Sequence, residues 1–390
     1  MKISKTSLWL WTAAAFFAFF VFGFSDNLKG AVLPALLQDL KIDYTVGGSI
    51  LFGLYIGFMV ATATTGLIAD ALGKKTVLLI AGVSLALGVS GFTSFSTPLL
   101  LGLSMFVLGY GLGALELGCN AIIVELHPND KGRYLSLMSV MHGMGSMAAP
   151  FFAGLLLDAG NSWRTVYRWD FLPIGILLAI VAFSRYPSVQ SASSDKIDFR
   201  HIGRTAFTPR MVWLYVAIVA YVAVEIGIAS WLVEYLQKIR GQDVKTSTGA
   251  LSLYFGLMMV GRFLGSFVIE RLGYLKSILA ALLGASACIA LGLSGPAFAL
   301  TASGFFLSIV FPAITATASD DLTENTNTIL GLLFTFAGLG GMLGPWLVGF
   351  ASDQFGIDRG FWLNLGFALV TALSAIVLLQ LSRKKNAPRS

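Results

Sequence analysis

Apolar runs, each long enough to cross a bilayer as a helix, follow one another along almost the whole chain. They cover residues 9–36, 46–69, 76–95, 99–124, 135–157, 168–186, 211–237, 248–269, 276–294, 297–318, 328–351 and 361–381. A hydrocarbon core roughly 30 Å thick needs about 20 residues per spanning helix. The pattern therefore predicts an all-α membrane protein with twelve transmembrane helices. The first run follows Lys2 and Lys5 as a signal peptide would, but it is too long for an h-region and continues through Asp26 and Pro34. It reads as the first helix.

The longest polar stretch, YPSVQSASSDKIDFRHIGRTAFTPR (186–210), divides six runs from six. The expected organisation is a six-helix bundle over 1–186, a linker over 187–210 and a second bundle over 211–390. Repeats between the halves support it. HGMGSMAAPFFAGLLLDAG (142–160) lies over AGLGGMLGPWLVGFASDQFG (337–356), matching Gly145 to Gly340, Pro150 to Pro345, Gly154 to Gly349 and Asp158 to Asp353. GLIADALGKK (66–75) resembles GSFVIERLGYLK (265–276), each with an acid, a Gly three residues later and then basic residues. LPALLQ (33–38) and LVEYLQ (232–237) place Asp26 opposite Glu225. Parallel repeats of this kind are a common plan for transporters. The Gly-rich faces of the fifth and eleventh runs suit close helix packing, and equally two halves that rock on smooth faces.

Composition narrows the picture further. The chain is 56% hydrophobic and 12% charged, against about 25% charged in soluble domains, and no large soluble domain fits in the remainder. The net charge of +6 reflects topology rather than nucleic acid. With the N-terminus inside, seventeen of the 26 Lys and Arg fall in cytoplasmic segments and seven outside, leaving Lys29 and Arg262 within helices. Both termini are expected in the cytoplasm. Cys119 and Cys288 lie inside predicted helices, which argues against a disulfide.

Acidic residues in the middle of apolar runs carry the candidate chemistry, because a carboxylate at the centre of a spanning helix costs at least about 2.5–3.5 kcal/mol. Asp26, Glu116 and Glu225 are three such residues. Glu116 and Asn120 share one helix face, and a carboxyl in a dehydrated cavity is suited to exchanging protons. Glu116 is the expected proton carrier; a Glu neutralised by a structural partner is the alternative. Asp26, beside Asn27, is either a second protonation site or an acceptor for substrate hydroxyls, or else the partner of Lys29 three residues on. Glu225 is its counterpart in the second half. Trp231, Tyr254 and Trp346 offer aromatic surface for a solute ring, or simply packing. His142 is deep enough to reach a central cavity. Arg262 needs a partner, for which Glu225, Asp320 and Asp321 are candidates, and reads as a structural or gating element. His127, His142 and His201 sit on different segments, and no Gly-Lys-Ser/Thr phosphate loop occurs. No metal, cofactor, enzymatic activity or nucleic-acid partner is expected.

GLIADALGKK, with Gly66, Asp70, Gly73, Lys74 and Lys75 on a short turn between the second and third runs, resembles the loop motif of the major facilitator superfamily. Ala71 stands where that motif usually has a basic residue. An Asp at this helix end could latch a neighbouring helix N-terminus. Three stretches further resemble the fucose permease group: FGFSDNLKGAVLPALLQ (22–38), GLGALELGCN (111–120), and YVAVEIGIASWLVEYL (221–236) with YFGLMMVGRFLGS (254–266). Two positions depart from that group. Its proton-linked Asp aligns with Gly30, one turn beyond Asp26, and its Asn-Pro in the fourth helix is Asn120-Ala121 here. The resemblance implies two pseudo-symmetric bundles in the bacterial inner membrane, acting as a monomer. Its partners would be the lipid bilayer, protons and a small neutral hydroxylated solute such as a sugar. A proton-driven exporter of drugs or lipophilic metabolites is the alternative.

Overall fold

The computed structural model describes residues 5–184, 186, 206–320 and 326–386. Most of the expected linker (187–205) and Asp321 lie outside the described residues. Among those residues the secondary structure is helical throughout, and twelve helical stretches are long and apolar enough to cross a membrane. The first half holds α1 (Lys5–Leu40), α2 (Tyr44–Leu72), α3 (Lys74–Ser94), α4 (Pro98–Leu126), α5 (Lys131–Asp158), α6 (Trp163–Arg168) and α7 (Phe171–Phe183). The second holds α8 (Pro209–Arg240), α9 (Val244–Leu272), α10 (Tyr274–Ser294), α11 (Phe298–Leu307), α12 (Val310–Asp320), α13 (Thr326–Phe355), α14 (Ile357–Gly360) and α15 (Leu363–Asn386). The chain divides into two compact units, residues 1–194 with 242–252, and residues 195–241 with 253–390. Thus the first turns of α9 belong to the first unit, where Ser252 Oγ donates to the Met147 carbonyl at 2.5 Å.

Three spans are interrupted rather than continuous: the sixth (α6–α7), the tenth (α11–α12) and the twelfth (α14–α15). Proline explains the first two, because it removes the amide that its i−4 carbonyl would accept. Pro173 leaves the Trp169 carbonyl without its helical donor, and the chain tightens so that Leu172 N–H donates to it instead at 3.1 Å. Pro312 does the same to the Ser308 carbonyl. The sixth span also starts earlier than the hydrophobic pattern suggests, at Trp163 rather than 168. The reason is Arg164, which reads as a loop residue but is drawn in by Asp39 at 2.6 Å and by the Trp163 ring at 4.2 Å.

The internal repeat is visible as matched helix contacts. In the first unit α1 packs along α5, and in the second α8 packs along α13. A Cβ on Gly145 would run into the Phe20 carbonyl and lie 2.8 Å from the Phe24 nitrogen. A Cβ on Gly340 would meet the Val219 carbonyl group, with its carbon at 3.0 Å. Gly145 and Gly340 are matched by the fifth–eleventh repeat, and Phe20 and Val219 by the Asp26–Glu225 register of the first and seventh. The two contacts are therefore the same contact, made once in each unit. Gly73 and Gly273 likewise share one conformation, φ +84° and +76°. Each donates its N–H to the carbonyl four residues back, Ala69 or Ile269, at 2.9 and 2.8 Å. Positive φ suits glycine because it lacks a Cβ.

His127 ends α4 in a small polar knot. Its ring lies 3.6 Å from that of Tyr134, nearly parallel, and its Nε2 is 2.8 Å from Thr12 Oγ1. The Thr12 hydroxyl proton is used on the Leu8 carbonyl at 2.8 Å, so the hydroxyl accepts from Nε2–H. Burial holds the imidazole below its ordinary pKa, with Asp130 pulling part of the way back.

Two outcomes follow. Gly145→Val should lower the melting temperature of the detergent-purified protein, by overpacking worth about 1–3 kcal/mol or more because main chain must move. Gly102→Val, with open space around it, should change it little. The folded His127 holds fewer protons than the unfolded one, so its contribution is complete above the unfolded pKa of about 6.5 and declines as pH falls below that. His127→Gln should flatten this acid limb in melting curves recorded against pH.

Candidate functional site

The first unit gathers charge around the middle of α1. Asp26 and Lys29, one turn apart, form an ion pair, and Lys29 Nζ also donates to the Asp26 main-chain carbonyl at 2.7 Å. The Lys29 side chain is 3% exposed and that of Asp26 15%. Lys29 Nζ also sits 5.5 Å above the Tyr55 ring of α2. Two charges in such a position are tolerable only as a pair. Glu116, half-buried on α4, lies within electrostatic reach of Asp26, and no hydrogen bond or ion pair to it occurs among the described residues. Asn120 follows one turn later on α4, also half-buried.

Asn27 points the other way. Its amide donates to the Gly23 carbonyl at 2.9 Å and to Ser146 Oγ of α5 at 3.0 Å. It is a buried tie between α1 and α5. His142 of α5 sits edge-on to Phe22, ring centroids 4.7 Å apart, with Phe19 at 6.5 Å. One buried acid escaped the sequence reading. Asp170, between α6 and α7, is fully buried and accepts from Ser25 Oγ of α1 at 2.9 Å. It falls on the third residue of the expected sixth run, where an acid looks interfacial, and only the earlier helix start puts it inside.

The second unit has its own cluster. Glu225 of α8 and Tyr254 and Arg262 of α9 all lie within electrostatic reach of Tyr221. Tyr221 and Tyr254 are fully buried, and the Tyr254 hydroxyl stands 3.4 Å from the Glu225 main-chain carbonyl. Arg262 forms no ion pair among the described residues. Its Nε donates to the Ser308 carbonyl at 3.2 Å, and Met258 Sδ is 3.8 Å from its guanidinium. Ser308 is the carbonyl that Pro312 deprives of its helical donor, so Arg262 supplies what the broken tenth span lacks. Trp231 is fully buried, its ring N–H donating to the Pro345 carbonyl of α13 at 2.8 Å. Trp346, half-buried, stacks on Phe350 with centroids 5.7 Å apart. Trp231 thus ties α8 to α13, and Trp346 is the more exposed of the two.

The loop motif works through its lysines. Lys74 pairs with Glu125 near the end of α4, and Lys75 donates to the Ala182 and Ser184 carbonyls at 2.9 and 2.8 Å. Lys75 thereby caps the last turn of α7, where cations are favoured. Asp70 is exposed and caps no helix among the described residues; α3 starts at Gly73 without a side-chain cap. Lys29 is the partner of Asp26 that the three-residue spacing allows, whereas Glu125 does not stand out in its apolar run.

Lys29→Met should destabilise the protein by about 3–5 kcal/mol, because it strands the Asp26 carboxylate. The Asp26→Asn/Lys29→Met double variant should recover most of that loss. Thermal unfolding of the wild type, Asp26→Asn, Lys29→Met and the double variant gives the coupling directly; a double variant as unstable as Lys29→Met would rule the pair out as an energetic unit.

Comparison with known proteins places this arrangement. The glucose/galactose transporter of Brucella abortus (strain 9-941) is 26% identical over 377 residues, 88% of each chain. The L-fucose-proton symporter of Escherichia coli K12 is 24% identical over 379 residues, 87% of this chain and 86% of that one. Among solved structures, a variant of the nucleoside transporter NupG has the same fold, with a TM-score of 0.82 at 14% identity over 95% of this chain and 99% of that one. The relatives are transporters, not enzymes. The family model that describes the Major Facilitator Superfamily matches residues 15–341, and the chain belongs to that superfamily as a multi-pass membrane transporter.

Proposed function

We propose that the protein moves a small neutral hydroxylated solute, a sugar, together with protons. The observation that carries this reading is Glu116, an acid within reach of Asp26 and with no hydrogen bond or ion pair among the described residues. The Asp26–Lys29 pair is neutral as a unit. An ionised Glu116 beside it leaves one net negative charge in apolar surroundings, and a proton removes that charge. Glu116 is therefore a site whose occupancy changes the net charge beside the pair, and protonation there biases which state of the transporter is populated.

The names of the relatives, glucose/galactose transporter and L-fucose-proton symporter, support both the solute class and the coupling ion. Asn120 and His142 in the first unit, with Glu225, Tyr254 and Trp346 in the second, supply the amide, imidazole, carboxylate and aromatic groups that bind sugar hydroxyls and ring faces. Asn27, Trp231 and Arg262 hold the helices that carry them. Asp70, Gly73, Lys74 and Lys75 form a gating turn. The bundles 1–186 and 211–390, joined by 187–210, alternate access to the solute, with both termini in the cytoplasm and the monomer in the bacterial inner membrane.

Proteoliposomes loaded under a pH gradient test the coupling with glucose, galactose and fucose as probes. One proton per solute sustains about tenfold accumulation per pH unit. Glu116→Gln should abolish that accumulation and keep solute counterflow at equal pH. Undiminished uphill uptake by Glu116→Gln would remove the assignment.

A further inference from the structure

We infer that Asp170 is a proton-exchanging carboxyl of the first unit, hydrogen-bonded to Ser25 of α1, the residue before Asp26. Its role in transport rests on the proton-coupled reading above; its protonation does not. Asp170 is 0% exposed. One carboxyl oxygen, Oδ1, takes the Ser25 hydroxyl at 2.9 Å, while Oδ2 is buried with no hydrogen-bond partner among the described residues. That oxygen can gain or lose a proton without disturbing the contact with Ser25. Only an O–H bond forms and breaks, and the proton comes from and returns to water.

The break in the sixth span gives both charge states a footing. Asp170 is the N-cap of α7, a helix of 13 residues, so the anion lies at the positive end of a helix dipole. The neutral acid in turn suits the apolar core around it. Few other ionisable groups face it. On its own span Arg168, two residues back, is exposed and Arg164 is paired with Asp39, while Tyr167 is fully buried and within reach of both Asp170 and Asp26. From α1 come Asp26 and Lys29, one and four residues after Ser25. The stretch of α3 that packs against α6 and α7 has no ionisable residue between Lys75 and Ser94. On α5, which touches α6, His142 is turned to Phe22 and Asp158 is exposed at the helix end. A charge on Asp170 lies within electrostatic reach of Tyr167, which is also within reach of Asp26, across a low-dielectric interior where such effects are large.

The second unit provides a natural control. At the matching step of its broken last span stands Asn364, fully buried, with one amide oxygen likewise lacking a partner. Its N–H donates to the Phe361 carbonyl at 3.2 Å, as that of Asp170 donates to Tyr167 at 3.0 Å. Both Phe361 and Tyr167 are buried aromatics three residues earlier. Asn364, one residue inside α15 where Asp170 stands just before α7, is thus a neutral side chain of the same shape three residues after a buried aromatic. What Asp170 adds to that step is the ability to ionise.

Infrared difference spectra of the full chain in lipid bilayers, recorded across steps of pH, read the proton directly. The wild type should show a protonated-carboxyl C=O band that fades as pH rises, and Asp170→Asn should lack it. Ser25→Ala should keep that band but move its midpoint, which leaves the idea testable should Asp170→Asn fail to fold. In proteoliposomes Asp170→Asn should retain counterflow while its pH profile for driven uptake shifts, and Asp170→Glu should restore the profile. Titrating bands unchanged in Asp170→Asn, or a midpoint unmoved in Ser25→Ala, would overturn the assignment. Because the spectra need no solute, they stand even where the sugar reading fails.

Discussion

Inside a bilayer a backbone carbonyl that loses its amide partner cannot turn to water, so the protein must supply a donor. This constraint organises both units. Proline creates the gaps, at Pro173 in the sixth span and Pro312 in the tenth. One gap is closed by the chain tightening at Leu172, the other by the Arg262 guanidinium reaching the Ser308 carbonyl. Each repair leaves an ionisable side chain at membrane depth. Asp170 and Arg262 are both found at such breaks, while Asp26 and Lys29 are held as a pair on the unbroken α1.

The second organising element is close main-chain approach. Helices in lipid gain little from hiding apolar surface, so contact area and fit decide their association. Gly145 against Phe20 and Gly340 against Val219 show the same solution used in each half. These contacts fix α1 against α5 and α8 against α13, and those helices carry Asp26, His142 and Glu225. Asn27 adds a polar tie at the same interface, through Ser146. Packing and candidate chemistry are therefore arranged along shared helix faces, apolar glycine steps alternating with polar ones.

Much of this was legible in the residue pattern. The twelve spans follow from hydropathy, because every backbone group in a span is satisfied within it and the length is set by the membrane. The twofold repeat followed from glycines and prolines at constant offset, since those residues answer to backbone geometry rather than to side-chain fashion. The breaks were not legible: a helix interrupted by proline stays as apolar as an intact one. For the same reason neither Asp170 nor the Ser308 carbonyl that Arg262 reaches stands out in the residue pattern. Asn27 and Trp231 have the composition of ligand-binding groups, and only coordinates reveal that Ser146 and the Pro345 carbonyl already engage them.

The Asp26–Lys29 pair lies within a single helix, three residues apart. It is consequently self-contained: when α1 tilts or slides past its neighbours, both charges travel together and their separation does not change. A salt bridge strung between helices, such as Lys74 with Glu125, resists shear because motion stretches it. The pair on α1 imposes no such drag. It holds two opposite charges within one helix, and the ion pair itself needs no partner on another.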